Sequence, residues 1–314
     1  MYVDNQHFQY MHSHIKTLHT FVLRRQMNRK IPLILKSCLI SLVLISIVGC
    51  ETSADSSNNQ SEINQQKQTP SPSNQHKKHA AKDLTGKFIA IYQPARNAQT
   101  KIEEKFWRSN YLLEDFAEYM NSYINIPQDI KVIAKECGEV NAFYDADTST
   151  IEMCYELGEE QRELFSQAGA KGTELEDELF QSALGTLYHE AGHALIDTLA
   201  LDIPYKFEED YADQVAAYIL TTYDEDKDYL ISISDSYGLE QQGPAVSRKL
   251  TPEGHSPEWV RAENFLCYVY GSDSQKYAYL VKEKYLPKSR ALGCKTEYSA
   301  LVQRWDALLK KHLK

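Results

Sequence analysis

No apolar run in this 314-residue chain approaches the roughly 20 residues that a helix needs to cross a bilayer; the run Cys38 to Gly49 falls well short of it. None of the six cysteines stands in C-x-x-C spacing, which removes the usual redox-active and zinc-knuckle arrangements. There is no internal repeat, and no sequence with the look of a calcium loop. Positive charge is scarce where the chain has a core to build: residues 1–84 carry a net charge of +5, and residues 85–314 a net of −15. Phosphate backbones require a basic surface, so nucleic acid is excluded as the main partner of that acidic body. Histidine is equally sparse there, with only His189, His193, His255 and His312.

Three segments follow from composition. Residues 1–49 comprise an upstream stretch and a signal-like segment: Arg29, Lys30 and Lys36 precede the apolar run, which is too short to span and suits a secretory signal. Residues 1–26 fit a signal poorly, and Met27 offers an alternative start. Residues 50–84 are rich in Ser, Asn, Gln and Lys, carry Pro70 and Pro72, and cannot bury a core, so they read as a tether. Residues 85–314 form the expected folded body. Ile47-Val48-Gly49-Cys50 resembles a bacterial lipobox. That resemblance implies cleavage before Cys50, lipidation of its thiol, and a lipid-anchored protein of the bacterial cell envelope. Glu51 stands where inner-membrane retention often uses Asp, which favours the outer-membrane, periplasmic side.

Four cysteines remain in the body: Cys137, Cys154, Cys267 and Cys294. An even number in an exported domain points to disulfides, and four cysteines allow three pairings. The local pairs Cys137–Cys154 and Cys267–Cys294 are favoured over the other pairings, and over buried free thiols, which an oxidising compartment disfavours.

Periodicity predicts strands at 87–92, 130–135, 141–144 and 150–155, the last two joined through Asp145 and Asp147. Helices are expected at 102–123, at 159–168, from Thr173 to about Leu199, at 207–221, from Ser256 to about Gly271, and from Tyr298 to about Leu313. Thr173 with Glu176 suits a capping box, and Ser256 with Pro257 a helix start. A small sheet followed by helices is an α+β pattern.

Within the long helix lies His189-Glu190-Ala191-Gly192-His193. Positions i and i+4 of a helix share a face about 5–6 Å apart. Two imidazoles so placed can bind one metal ion, and Glu190 can reach a water on it as general base, the H-E-x-x-H logic of zinc peptidases. Ala191 and Gly192 are small, leaving room for an ion and a substrate. Zinc needs a third protein ligand; Glu209 is the first candidate and His255 the second, with Glu208 and Asp210 as competitors. Asp213, one turn beyond Glu209, can accept the free N–H of a ligand histidine. His255 is also a candidate oxyanion donor, while Tyr211 and Tyr218 read better as packing residues.

HEAGH followed by E-x-x-A-D resembles the gluzincin zinc peptidases, including the heat-shock and CAAX-prenyl membrane peptidases and, with a related E-x-x-x-D, thermolysin. The resemblance implies zinc on His189, His193 and Glu209, with Asp213 and Asp197 as supports. Asn141-Ala142-Phe143 resembles their edge strand, which pairs with an extended peptide or protein substrate. Asn141 to Asp145, Cys154 to Leu157, His189 to Ala194, Glu208 to Asp213, and Cys267 with Cys294 are most similar to a bacterial exported zinc metallopeptidase family of unknown function, over residues 85–300. It implies a zincin-like fold: a small N-terminal sheet packed on the active-site helix, and a mainly helical C-terminal part. The expected function is a lipid-tethered zinc peptidase using a Glu190-activated, zinc-bound water. Two alternatives stand beside it: a non-catalytic surface-tethered binding or scaffold protein with structural zinc, and a zinc amidase acting on cell-wall material.

Overall fold

The computed structural model describes residues 84–222, 226–240 and 255–314. The expected signal, Cys50 and nearly all of the tether lie outside the described residues. Strand β1 (Phe88–Tyr92) leads through α1 (Thr100–Ser109) and α2 (Leu112–Tyr123) to β2 (Ile130–Lys135). A hairpin follows, β3 (Ala142–Asp145) and β4 (Thr150–Cys154), and then α3 (Tyr155–Gln167) and α4 (Thr173–Thr198). A 3-10 turn (Tyr205–Phe207) precedes α5 (Glu208–Leu220), α6 (Tyr229–Glu240), α7 (Glu258–Ser272), α8 (Ala278–Lys282) and α9 (Lys288–Leu309). The architecture is α+β: an N-terminal mixed sheet against a largely helical remainder.

The sheet order is β1-β2-β4-β3. β1 and β4 both run parallel to β2, while β3 pairs antiparallel with β4 in the register Phe143↔Glu152. The α1–α2 crossover is what permits the parallel β1–β2 pair. The β3–β4 turn is held by Asp145, whose carboxylate accepts from the Asp147 amide (2.9 Å) and from the Thr148 hydroxyl (2.8 Å). β3 is therefore an edge strand, one side bonded to β4.

Helix α4 organises the rest. Residues on every side of it are buried from Glu178 to Ile196, the signature of a helix enclosed by other elements rather than lying on a surface. β3, β4, α2, α3, α5 and α6 all pack on it. Large side chains fill the surrounding space, among them Trp107, Phe116, Phe265 and Trp305. Full burial of such an apolar side chain contributes about 1.5–3 kcal/mol. At Gly185 an added Cβ would lie 2.4 Å from Ile233 of α6, so the glycine sets that close packing.

The structure departs from the expected elements in definite ways. The helix anticipated over 102–123 is two helices. Asn110 ends the first, its side-chain amide donating to the Phe106 carbonyl (2.8 Å), and Tyr111 takes a left-handed φ of 55° before the second begins. The capping box at Thr173 is absent: Thr173 is already helical, and Gly172 is the N-cap with φ 58°. Ser256 likewise caps nothing. Pro257 is the N-cap of α7, and the Ser256 hydroxyl donates instead to Asp210 of α5 (2.8 Å). α9 begins ten residues before the expected Tyr298, immediately after Pro287, whose extended ψ of 135° sets the helix entry. The disulfides Cys137–Cys154 and Cys267–Cys294 are both formed, as expected. The first ties the start of the β2–β3 loop to the end of β4, and the second joins α7 to α9. Among the described residues no helix is long and apolar enough to cross a membrane.

Between α4 and α6 the core holds two carboxyl groups, Glu178 and Asp235, both buried. Burial, and then the negative charge of Glu178, push the Asp235 carboxyl well above the usual range. The folded state thus binds a proton that the unfolded chain releases near pH 4. Stability from this group is complete below that pH and is lost as pH rises toward the raised folded value. Thermal unfolding of wild type and Asp235→Asn between pH 4 and 8 tests this. The wild-type midpoint should fall relative to the variant as pH rises, each 1 kcal/mol appearing as about 2–4 °C. Parallel curves would remove the titration from the account.

Candidate metal centre

The end of α4 determines where the following acids go. Leu199 caps the helix, Ala200 turns left-handed (φ 49°), and the amides of Ala200 and Leu201 donate back to the Asp197 and Ile196 carbonyls (both 2.9 Å). This Schellman closure reverses the chain. Pro204 and the 3-10 turn then start α5, whose first turn carries Glu208, Glu209 and Asp210, the charge sign that a helix N-terminus favours. α5 packs back along α4. An added Cβ at Gly192 would sit 2.7 Å from the Ala212 Cα, so the glycine of HEAGH makes room for the α5 backbone. The small residue there serves helix–helix approach, not the space for an ion expected from sequence.

That approach brings three ligand atoms together. His189 Nε2 and His193 Nε2 are 3.3 Å apart, and Glu209 Oε2 lies 3.4 and 3.3 Å from them. Tetrahedral coordination with metal–ligand bonds of about 2.0–2.1 Å places ligand atoms about 3.3–3.4 Å from one another. The triangle therefore has the edge lengths of one face of such a site. The far sides of both rings are engaged: His189 Nδ1 is 2.8 Å from Asp213 Oδ1, and His193 Nδ1 is 2.9 Å from Glu208 Oε1. A carboxylate only accepts, so each Nδ1 carries a hydrogen, which leaves each Nε2 free to ligate when the ring is neutral. Glu209 Oε2 is buried and also lies 2.8 Å from His255 Nε2. With both rings neutral, three acceptors would face one another at these distances, an arrangement that either a metal ion or protons on the imidazoles would relieve. The donor set, two imidazoles and a carboxylate, fits zinc.

The local field has the same sign. Burial alone would lower the His193 pKa, but Glu208, Glu209 and Glu190 raise it to about 10. At His189 burial is likewise outweighed, by Asp213 and Glu209. The Glu209 carboxyl, which burial would raise, is held far below its ordinary range by the three surrounding imidazoles. The site thus favours positive charge. Asp213 is itself anchored by Arg261, which donates to both carboxylate oxygens (2.7 and 2.9 Å), contacts the Tyr237 hydroxyl (2.7 Å) and lies over the Tyr237 ring. Burial raises the Asp213 pKa, and Arg261 brings it well below the usual range.

The remaining expected residues fall as follows. Glu190 is 5 % exposed, and its charge acts on both imidazoles. His255 is also at the site, with Nε2 2.8 Å from Glu209 Oε2 and its ring stacked on His189. The Ser256–Asp210 bond fixes the segment that presents it. Asp197 lies one turn past His193, where its carboxylate accepts from the Tyr144 hydroxyl (2.8 Å) and joins α4 to the edge strand. Asn141 precedes β3, and its carbonyl accepts from the Cys154 amide (3.2 Å); Ala142 and Phe143 lie within β3. Tyr211 packs on Trp305, and the Tyr218 hydroxyl donates to Asp306 (2.7 Å), so both are committed to α9. Cys137, Cys154 and Glu156 also cluster, but both sulfurs are spent in the disulfide. Sequence reasoning missed Arg261 altogether and treated Glu208 and Asp210 only as rival ligands. The doubled acid at 208–209 was the one visible signal, since consecutive helical residues point about 100° apart and cannot share one role.

Residues 92–309 match a domain family described as "Putative metallopeptidase". No curated protein and no solved structure matches the chain. The match and the metal-capable cluster together are consistent with a metal-dependent hydrolase.

Gly192→Val should separate the two ligand helices. Metal binding measured by chelator competition should fall steeply, and stability should drop by about 1–3 kcal/mol, the usual cost of overpacking. Wild-type affinity in this variant would show that the close approach does not set the ligand geometry.

Proposed function

Because the chain belongs to the "Putative metallopeptidase" family, we propose that it is a zinc-dependent peptidase of zincin-like fold, with zinc held by His189, His193 and Glu209. The observation that carries this reading is the triangle of Nε2, Nε2 and Oε2 with edges of 3.3, 3.3 and 3.4 Å. When bound, zinc would lower the pKa of a coordinated water toward about 7 and polarise a carbonyl oxygen.

The protein groups supply the rest. Glu190 accepts the proton of the attacking water and returns it to the departing amine as the C–N bond breaks. Its position next to His189 on the helix leaves it buried beside the ligands but outside the triangle. Asp213 keeps the His189 imidazole in the tautomer that ligates. An extended peptide adds to the free edge of β3 as a further strand, with Asn141, Ala142 and Phe143 along its path. His255 stands at the rim, where an imidazole N–H can stabilise the developing oxyanion. Two disulfides suit an oxidising compartment. With the lipobox-like segment ending at Cys50, they support a lipid-anchored enzyme of the bacterial envelope acting on peptides or proteins.

Glu190→Gln separates binding from chemistry. The variant should retain one zinc per chain by metal analysis and lose about 10²–10⁴-fold in cleavage of a peptide library. Chelation of the wild type should abolish cleavage, and zinc should restore it. Undiminished cleavage by Glu190→Gln would remove Glu190 as the base.

A further inference from the structure

We propose that Glu208 is a positioning residue for the metal, so that both ligand imidazoles, not His189 alone, are backed by a carboxylate. The inference rests on the zinc reading above and deepens it.

Glu208 and Glu209 are consecutive at the start of α5, and successive helical side chains diverge by about 100°. They therefore bracket the His193 ring. Glu208 Oε1 takes Nδ1 at 2.9 Å, and Glu209 Oε2 faces Nε2 at 3.3 Å. Asp213, one turn further on, takes Nδ1 of His189 at 2.8 Å. The first two turns of one helix thus supply a ligand and two outer carboxylates to two histidines of its neighbour.

The two outer acids differ in setting. The Asp213 side chain is 9 % exposed, and its charge is met by the buried Arg261. Removing it would strand a buried cation, so any effect would mix metal binding with folding. The Glu208 side chain is 25 % exposed at the helix entrance. Its loss leaves the Asp213–Arg261 pair intact, so it disturbs the buried charges less than loss of Asp213 does. Holding the Nδ1–H fixes both the tautomer and the ring plane, and outer partners of this kind are typically worth about 10–100-fold in metal affinity.

The test uses the full-length chain as wild type, Glu208→Ala and Glu208→Gln. Zinc affinity is read by competition with a chromophoric chelator, and ligand geometry by the visible absorption of the cobalt-substituted protein. Thermal unfolding in excess chelator reports the fold. Glu208→Ala should bind zinc about 10–100-fold more weakly and shift the cobalt bands, while still unfolding in one cooperative transition in chelator. Glu208→Gln retains an oxygen that can accept from Nδ1–H and should recover most of the affinity. Glu208→Ala within about twofold of wild type, or Glu208→Gln as weak as Glu208→Ala, would overturn the positioning role. Absence of zinc binding by the wild type would instead overturn the metal reading and this inference with it.

Discussion

Two helices meet with almost no space between them where Gly192 faces Ala212, and the chemistry of the candidate site depends on that contact. His189 and His193 project from one helix on adjacent turns, and Glu209 and Asp213 from the other. Only a short interaxial distance lets Glu209 Oε2 reach within 3.3–3.4 Å of both Nε2 atoms while Asp213 and Glu208 pass around to the outer nitrogens. A side chain at 192 would meet the Ala212 backbone and push the two helices apart.

Electrostatics gives that geometry its meaning. Burying carboxylates is expensive unless each is paired. Here Asp213 is paired with Arg261, Asp210 accepts from Ser256, Glu208 accepts from His193, and the inner oxygen of Glu209 faces three imidazole nitrogens. The arrangement concentrates carboxylates around the two imidazoles. Its natural complement is a divalent cation. The same contacts order the flanking elements: Arg261 ties α7 to α5, and the Ser256–Asp210 bond brings His255 to the rim. Tyr144 links the edge strand to Asp197, so the strand expected to receive a peptide is fastened to the helix that carries the ligands.

Much of the fold was readable from local patterns. The four strands and the long helix follow from periodicity, and the two disulfides are the local pairs favoured from the number and spacing of the cysteines. Two errors have a shared cause. The break at Tyr111 depends on an Asn110 side-chain bond and a left-handed residue without glycine, and the early start of α9 on Pro287 lies in a stretch with weak amphipathic signal. Neither leaves a strong mark on periodicity. The caps expected at Thr173 and Ser256 show the converse. Suitable residue types were present, but Gly172 and Pro257 took the positions, and the Ser256 hydroxyl had a stronger use in a tertiary contact.

The sequence by itself determined the ligand types, the helical spacing that puts two imidazoles on one face, and the acidic run that starts the next helix. These are local properties, set by 3.6 residues per turn and by side-chain chemistry. Only the tertiary structure decided which acid does what. Glu208, Glu209, Asp210 and Asp213 are equivalent as letters, yet one backs His193, one closes the ligand triangle, one holds the His255 segment and one backs His189. Arg261 enters from a helix some fifty residues away, through a contact between side chains far apart in the chain that no local pattern encodes.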